Sequence, residues 1–149
     1  MKKHDAIKRK LFTMFLFGCI GTTTEIIFTA LKRVVTDVAY HQTIDLSLTG
    51  KTYVWMIFIY SLIPLLGDFI YPKIKHWALV FRLLLYVILT FLVEFISGGV
   101  LKLIFGKCPW EYTEGIHILG IIRIDYFIFW FFFMYIIENM YLKMTKIYY

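Results

Sequence analysis

The stretch Leu83–Gly99, LLLYVILTFLVEFISGG, is almost wholly aliphatic or aromatic until Glu94 interrupts it. The whole chain has the same character. Of its 149 residues 60% are hydrophobic and 20% aromatic, well above what a water-soluble domain of that size can bury. Lipid is therefore the expected solvent, and Glu94 is the residue whose presence has to be explained.

A membrane-spanning helix needs roughly 20 mostly apolar residues. Four segments qualify, at about residues 11–31, 53–71, 77–97 and 124–142. The expected fold is an all-α integral membrane protein: a compact four-transmembrane-helix bundle forming one membrane domain over residues 1–149. The net charge of +6 could suggest nucleic acid, but the cations cluster at the ends of the apolar segments. Alternating the spans puts nine on one side (Lys2, Lys3, Lys8, Arg9, Lys10, Lys73, Lys75, Lys143, Lys146) and five on the other (Lys32, Arg33, Lys51, Lys102, Lys107). An excess of Lys and Arg marks the cytoplasmic face. The expectation is a multi-pass protein of the cell membrane with both termini cytoplasmic and no nucleic-acid partner.

The opening MKKHDAIKRKLFTMFLFGC invites a signal-peptide reading, because a basic start precedes an apolar run. No A-x-A site follows, and the lipoprotein-like LFGC ending at Cys19 carries an unusual phenylalanine. Cleavage there would remove the first span, so the segment is expected to stay. Cys19 lies inside that span and Cys108 on the outer side, which leaves no disulfide framework to read.

Pro72 follows the second span, and YPKIKH supplies a charged hairpin that makes spans two and three antiparallel neighbours. Lys32–Thr52, mixed in composition and without a sustained period, reads as an outer loop. Beyond Ser97, GGVLKLIFGKCPWEYTEGIHILGIIR is too polar and glycine-rich for lipid yet too apolar for a free loop. It is expected to be a partly structured outer segment between helices three and four, folded against the mouth of the bundle. Trp55, Trp77 and Trp110 fall near expected membrane–water boundaries, where an amphipathic ring is stable. Trp130 falls inside a span, where its indole N–H would need an acceptor.

A central charge in a span costs roughly 2.5–3.5 kcal/mol on insertion scales, so such groups face protein or water. At about 1.5 Å per residue, Glu25 in span one, Glu94 in span three, and Arg123 and Asp125 at the start of span four share the outer level. Three carboxylates there meet one guanidinium. Gly18, Gly21, Thr22, Glu25 and Thr29 follow helical spacing and give span one a small or polar stripe. Thr90, Ser97 and Gly98 gather around Glu94. Tyr53, Tyr60, Ser61, Pro64, Gly67, Asp68 and Tyr71 make a third stripe, in span two. Small residues let helices approach and hydroxyls bond across the junction. Nearer the cytoplasm lie Asp68, Arg82 and Glu138, read as a structural ion-pair layer in which Asp68 and Arg82 neutralise each other.

Other chemistry is sparse. Glu114 and His117 form one E-x-x-H, whereas di-iron bundles use two such motifs and two more glutamates, so no metal is expected. The GKT at Gly50–Thr52 lacks the upstream glycine of a phosphate loop. No nucleotide and no cofactor is expected on this chain, and an ATP-driven role would need another subunit.

The segment EFISGGVLKLIFGKCPWEYTEGIHILGIIRIDYFIFW, from Glu94 to Trp130, resembles the ABC-transporter type IV, or CmpB-like, family. The shared marks are Glu94, Gly98, the Trp110-Glu111-Tyr112 box, Gly120-Ile121-Ile122 and Trp130. With its Cys-Pro-Trp-acid-Tyr box and the acid at Asp125, the chain is more similar still to the transmembrane protein 229 group, as are TEIIFTAL around Glu25 and VWMIFIY around Trp55. The resemblance runs from about Phe17 to Tyr141. It implies four spans and marks Glu25, Glu94, Trp110, Glu111, Tyr112 and Asp125 as motif positions.

The expected site is an acidic outer pocket of Glu25, Glu94 and Asp125, partly neutralised by Arg123 and roofed by Trp110, Glu111 and Tyr112. Such a pocket suits a transporter or permease-like subunit that binds a small polar or cationic solute, or a proton. One small bundle leaves little room for a pore, so a homo-oligomer or a partner membrane subunit is expected beside the lipid bilayer. Two alternatives remain open: a membrane-embedded enzyme acting on lipid with a carboxylate as general base, less favoured because no nucleophile is evident, and an assembly factor whose polar stripes bind another protein's helices.

Overall fold

A computed structural model describes residues 3–40, 43 and 47–148, with side chains over 4–40, 43 and 47–145. Lys2, and the side chains of Lys3 and Lys146, all counted above toward the cytoplasmic face, lie outside the described residues. Four helical stretches, His4–Ala39, Val54–Ile74, Leu79–Phe105 and Ile124–Thr145, are long and apolar enough to cross a membrane. The chain is thus a helical, multi-pass membrane protein. In none of the four is more than 33% of the most apolar window buried by protein. Lipid or another subunit must cover the rest.

The chain divides into two compact units, Met1–Leu66 and Gly67–Tyr149. The first contains helix α1 (Lys3–Ala39), α2 (Val54–Ser61) and the start of α3 (Ile63–Ile74). At 37 residues, α1 is about 55 Å long against a hydrocarbon core of about 30 Å. The interval between Lys10 and Lys32 matches that core, so the charged turns on either side project beyond it. Helix continues through Lys32–Ala39, where the composition had suggested the start of a loop.

The small and polar stripe of α1 lies against α2. Gly18 faces Ser61 and Ile57, and Gly21 faces the Tyr60 ring so closely that a Cβ at either position would collide. Phe17, Thr22 and Tyr60 are buried there. α2 stops at Ser61 and α3 begins at Ile63, with Leu62 between them. The break precedes the buried Pro64, which has no N–H to offer the carbonyl one turn back.

The second unit holds the remainder of α3, α4 (Leu79–Phe105), strands β1 (His117–Ile118) and β2 (Ile122–Arg123), a 3₁₀ turn (Ile124–Tyr126) and α5 (Phe127–Tyr148). α3 runs through Pro72 to Ile74 rather than ending at Tyr71. Residues 75–78 then reverse the chain, with the Trp77 N–H bonded to the Ile74 carbonyl at 2.8 Å. α4 outruns its expected end by two turns and closes on Gly106, whose φ of 77° fits the left-handed cap that glycine adopts without strain.

The buried residues of α4, Leu83, Val87, Glu94, Gly98 and Leu101, recur at helical spacing and form one face. α5 packs on α4 and buries Trp130, Phe133, Met134, Ile137, Glu138 and Tyr141. The segment between them is not helical. β1 and β2 pair antiparallel, His117 opposite Arg123 and Ile118 opposite Ile122, a hairpin the sequence did not signal. Trp110 is 5% exposed, a packing residue of this segment and not the boundary anchor expected of it. Trp55 and Trp77, each 43% exposed, keep open rings.

Adding one methyl group at Gly21 overpacks the α1–α2 contact, and Gly21→Ala is expected to lower stability by about 1–3 kcal/mol. Gly99, where an added methyl group would meet nothing within 4 Å, supplies the control: Gly99→Ala is expected to leave stability unchanged or raise it. Thermal unfolding in mild detergent, followed by circular dichroism, checks both.

Candidate functional site

In the first unit the site is built around Glu25. The residue is half-buried, one turn above Gly21 and Thr22 on the α1 stripe. Its Oε2 accepts the Thr52 hydroxyl at 2.9 Å and the Tyr60 hydroxyl at 3.3 Å. Thr52 is held in place by its neighbour, since the Lys51 N–H donates to Thr29 Oγ1 at 2.8 Å. Gly50 allows that stretch of chain to lie on the Ile26 carbonyl. Thus one stripe residue, Thr29, positions the connection and another, Glu25, receives what it brings. Among the described residues, the hydrogen bonds to the Glu25 carboxylate come from neutral hydroxyls and none from a cation.

In the second unit Glu94 is 5% exposed, one turn before Gly98 on the buried face of α4. At Gly98 a side chain would find no room, because Ile121, Trp110 and Cys108 crowd its α-carbon. The Trp110 indole donates to the Ile121 carbonyl at 3.2 Å, and the Tyr112 N–H to the Gly120 carbonyl at 2.8 Å. Those two bonds fold the Trp110-Glu111-Tyr112 box back against the hairpin. Burial, then the Glu111 and Glu94 carboxylates, push the Cys108 thiol above its ordinary range, as expected for an inert, structural cysteine.

The other acids of the second unit's expected site are matched close by. Arg123 grips Asp125 through Nε, at 2.9 and 3.0 Å, and through Nη2, at 2.9 Å. Its Nη1 donates to the Tyr126 hydroxyl at 3.0 Å, and the hydrogen bond to Asp125 raises the guanidinium's pKa. Tyr112 meets the Tyr126 ring edge-on at 6.0 Å. Lys102, one turn from the end of α4, pairs with Glu111 at 2.9 Å. Of the expected site residues the structure therefore sets Trp110 against Gly98, one turn from Glu94, and joins Arg123 to Asp125, while Tyr112 meets the ring of Tyr126, a residue outside the expected set. The hydrogen bonds of Glu25 lie within the first unit. Arg123, expected to offset a pool of acids, is bound bidentately by the acid two residues away.

The lower polar layer also has its own geometry. Arg82 donates through Nε and Nη2 to Glu138 at 3.0 and 2.6 Å and through Nη1 to the Trp77 carbonyl at 2.7 Å. Asp68, expected to pair with Arg82, accepts the Tyr141 hydroxyl at 2.8 Å. Tyr141 reaches it because Gly67 leaves room for its ring. The physical reason is reach and geometry: a planar guanidinium suits a fork-to-fork carboxylate, and Glu138 offers both oxygens.

The E-x-x-H at Glu114 and His117 does not lie on a helix. His117 stands in β1 and its Nδ1 accepts the Gly120 N–H at 3.3 Å, stabilising the turn. Sequence reasoning misses Thr52 and Tyr141 as partners of intramembrane acids. Thr52 lies in a segment without periodicity, and Tyr141 looks like one more aromatic in an aromatic helix. Tyr60 falls on the expected stripe, but spacing alone gives it no partner.

No family model matches the chain, and no solved structure matches it. Its own geometry therefore carries the functional argument.

Arg82 and Glu138 expose only 15% and 5% of their side chains, so removing one partner strands a buried charge. Glu138→Ala is expected to cost about 3–5 kcal/mol. The exposed Lys102–Glu111 pair should matter far less, and Lys102→Ala is expected to cost under about 1 kcal/mol. Unfolding midpoints in detergent, compared with the parent protein, distinguish the two.

Proposed function

We propose that the chain is a transport or permease-like subunit of the cell membrane, with four spans and both termini cytoplasmic. Its Glu25 binds a proton or a small cationic or polar solute on the extracytoplasmic side. One observation carries the reading: a carboxylate within a membrane-spanning helix is held by two hydroxyls, with no cation bonded to it among the described residues. Ionisable groups at such positions mark solute and proton pathways more often than structure. Thr52 and Tyr60 can donate to an ionised carboxylate, and either hydroxyl oxygen can instead face a bound cation.

Depth supports the assignment. Glu25 lies seven residues, about 10 Å, below Lys32, and Glu94 eight residues, about 12 Å, below Lys102. Each unit thus supplies one carboxylate beneath the outer charges. Asp125 and Glu111, each held by a cation, act in this reading as braces of the outer segment. The resemblance to the ABC-transporter type IV family, and to the transmembrane protein 229 group, supports a membrane role on the same residues. Because protein covers so little of each span, a homo-oligomer or a partner membrane subunit is part of the proposal. The assembly-factor alternative is less favoured, because Gly18 and Gly21 of the α1 stripe face α2 of this same chain.

The test is reconstitution into liposomes with an internal pH dye and a panel of labelled monovalent and organic cations. Glu25→Gln, which keeps shape and removes charge, is expected to abolish the flux that the parent protein supports. Thr52→Ala and Tyr60→Phe each remove one donor to a charged group and are expected to change apparent affinity by about tenfold. Unaltered flux in Glu25→Gln would overturn the proposal.

A further inference from the structure

A shallow groove of about 460 Å³ runs along α4, lined by Trp77, Ala78, Phe81, Leu84, Leu85 and Ile88. Every one of these residues is apolar, and from Phe81 onward they recur at helical spacing along one stripe. Ala78 is the smallest side chain of the lining, with the aromatic Trp77 and Phe81 to either side of it in the chain. From Trp77, just before α4, to Ile88 the groove covers twelve residues, about 16 Å at helical rise, which is about the depth of a single bilayer leaflet.

Its two ends differ. The deep end is Ile88, 61% exposed, in the middle of the most apolar span. The shallow end is Trp77, the kind of ring that settles at headgroup level. Immediately before Trp77 stand Lys75 and His76, both exposed at the tip of the hairpin between α3 and α4. Lys73 adds a third basic side chain, with its ammonium 3.6 Å above the Phe69 ring. Arg82, the next cation along α4, is already taken by Glu138, so the positive charge available to a ligand is concentrated at the hairpin.

We propose that this groove holds one anionic phospholipid, its phosphate at Lys75 and His76 and one acyl chain laid along α4 to Ile88. Charge selects the occupant. A helix of a second copy would bring the same basic hairpin or a run of uncharged residues to the groove, and a zwitterionic lipid would gain little from Lys75. A basic residue near an anionic membrane surface contributes about fivefold in affinity, and the apolar stripe adds a chain-shaped seat that a headgroup site alone lacks. This lipid site does not depend on the Glu25 reading and would stand or fall without it.

Native mass spectrometry of the full chain in mild detergent, with phosphatidylglycerol and phosphatidylcholine of identical acyl chains added in equal amounts, provides the test. The parent protein is expected to retain phosphatidylglycerol in preference to phosphatidylcholine. The double variant Lys75→Gln, His76→Gln, altered only in an exposed hairpin, is expected to lose that preference by about fivefold while still retaining lipid. Ala78→Phe, which sets a ring into the groove, is expected to lose retention of both. Equal retention of the two lipids by the parent, an unchanged preference in the double variant, or undiminished retention in Ala78→Phe would each overturn the proposal. A parent that runs as a dimer and turns monomeric in Ala78→Phe would overturn it too, by assigning the groove to a second copy.

Discussion

A carboxylate placed among acyl chains costs roughly 2.5–3.5 kcal/mol even on the most lenient scales, and this chain places several there. Its architecture is largely the set of arrangements that make those positions tolerable. Glu138 receives a bidentate guanidinium, Asp68 a tyrosine hydroxyl, and Glu25 the hydroxyls of Thr52 and Tyr60. Glu94 is turned into the closed face of α4. For Glu25, Asp68 and Glu94 a neighbouring glycine lets the surrounding side chains approach. Gly21 admits Tyr60, Gly67 admits Tyr141, and Gly98 admits Trp110 and Ile121. Small residues in these spans are therefore best understood together with the acid beside them.

The arrangements differ in what they can do. An arginine–carboxylate pair is closed, with both charges spent on each other, and its role is to hold α4 to α5. A carboxylate between hydroxyls is open, because the donors can rotate and a cation or proton can replace them. The segment between α4 and α5 follows the first pattern, with Lys102 on Glu111 and Arg123 on Asp125, and its short hairpin seats Trp110 over Gly98. The first unit follows the second pattern. On the function proposed above, the second pattern is the one that a solute or proton would use, and Glu25 carries it.

Much of this is legible in the residues. The four apolar runs mark the spans, and their mid-regions survive in the structure because lipid leaves a hydrophobic helix few alternatives. The stripe Gly18, Gly21, Thr22, Glu25, Thr29 can be read by spacing alone, and it does face a helix. Ends are harder to read. α1 continues past Lys32 because hydrogen-bonded helix persists into water once it is nucleated, and α4 continues past Ser97 because the two glycines there do not stop an otherwise apolar helix that closes only at Gly106. Partner choice is hardest. Arg82 has two acids within plausible reach, and only the packing of α5 on α4 selects Glu138. The hairpin His117–Arg123 leaves no trace of alternation, since its strands are two residues each. Asp125 lies beside its partner in sequence, yet counting depth alone assigns Arg123 to a pool of acids and passes over the local geometry.

The central claim is that the Glu25 carboxylate is bound by Thr52 and Tyr60 inside the membrane-spanning region. A double-mutant cycle measures it most directly, using unfolding free energies in detergent for Glu25→Gln, Tyr60→Phe, Thr52→Ala and the two pairs that include Glu25→Gln. The account predicts coupling energies of about 1 kcal/mol or more for both pairs, as expected for hydroxyl bonds to a charged group. Additivity within about 0.3–0.5 kcal/mol for both pairs, the behaviour of sites that do not touch, would contradict it.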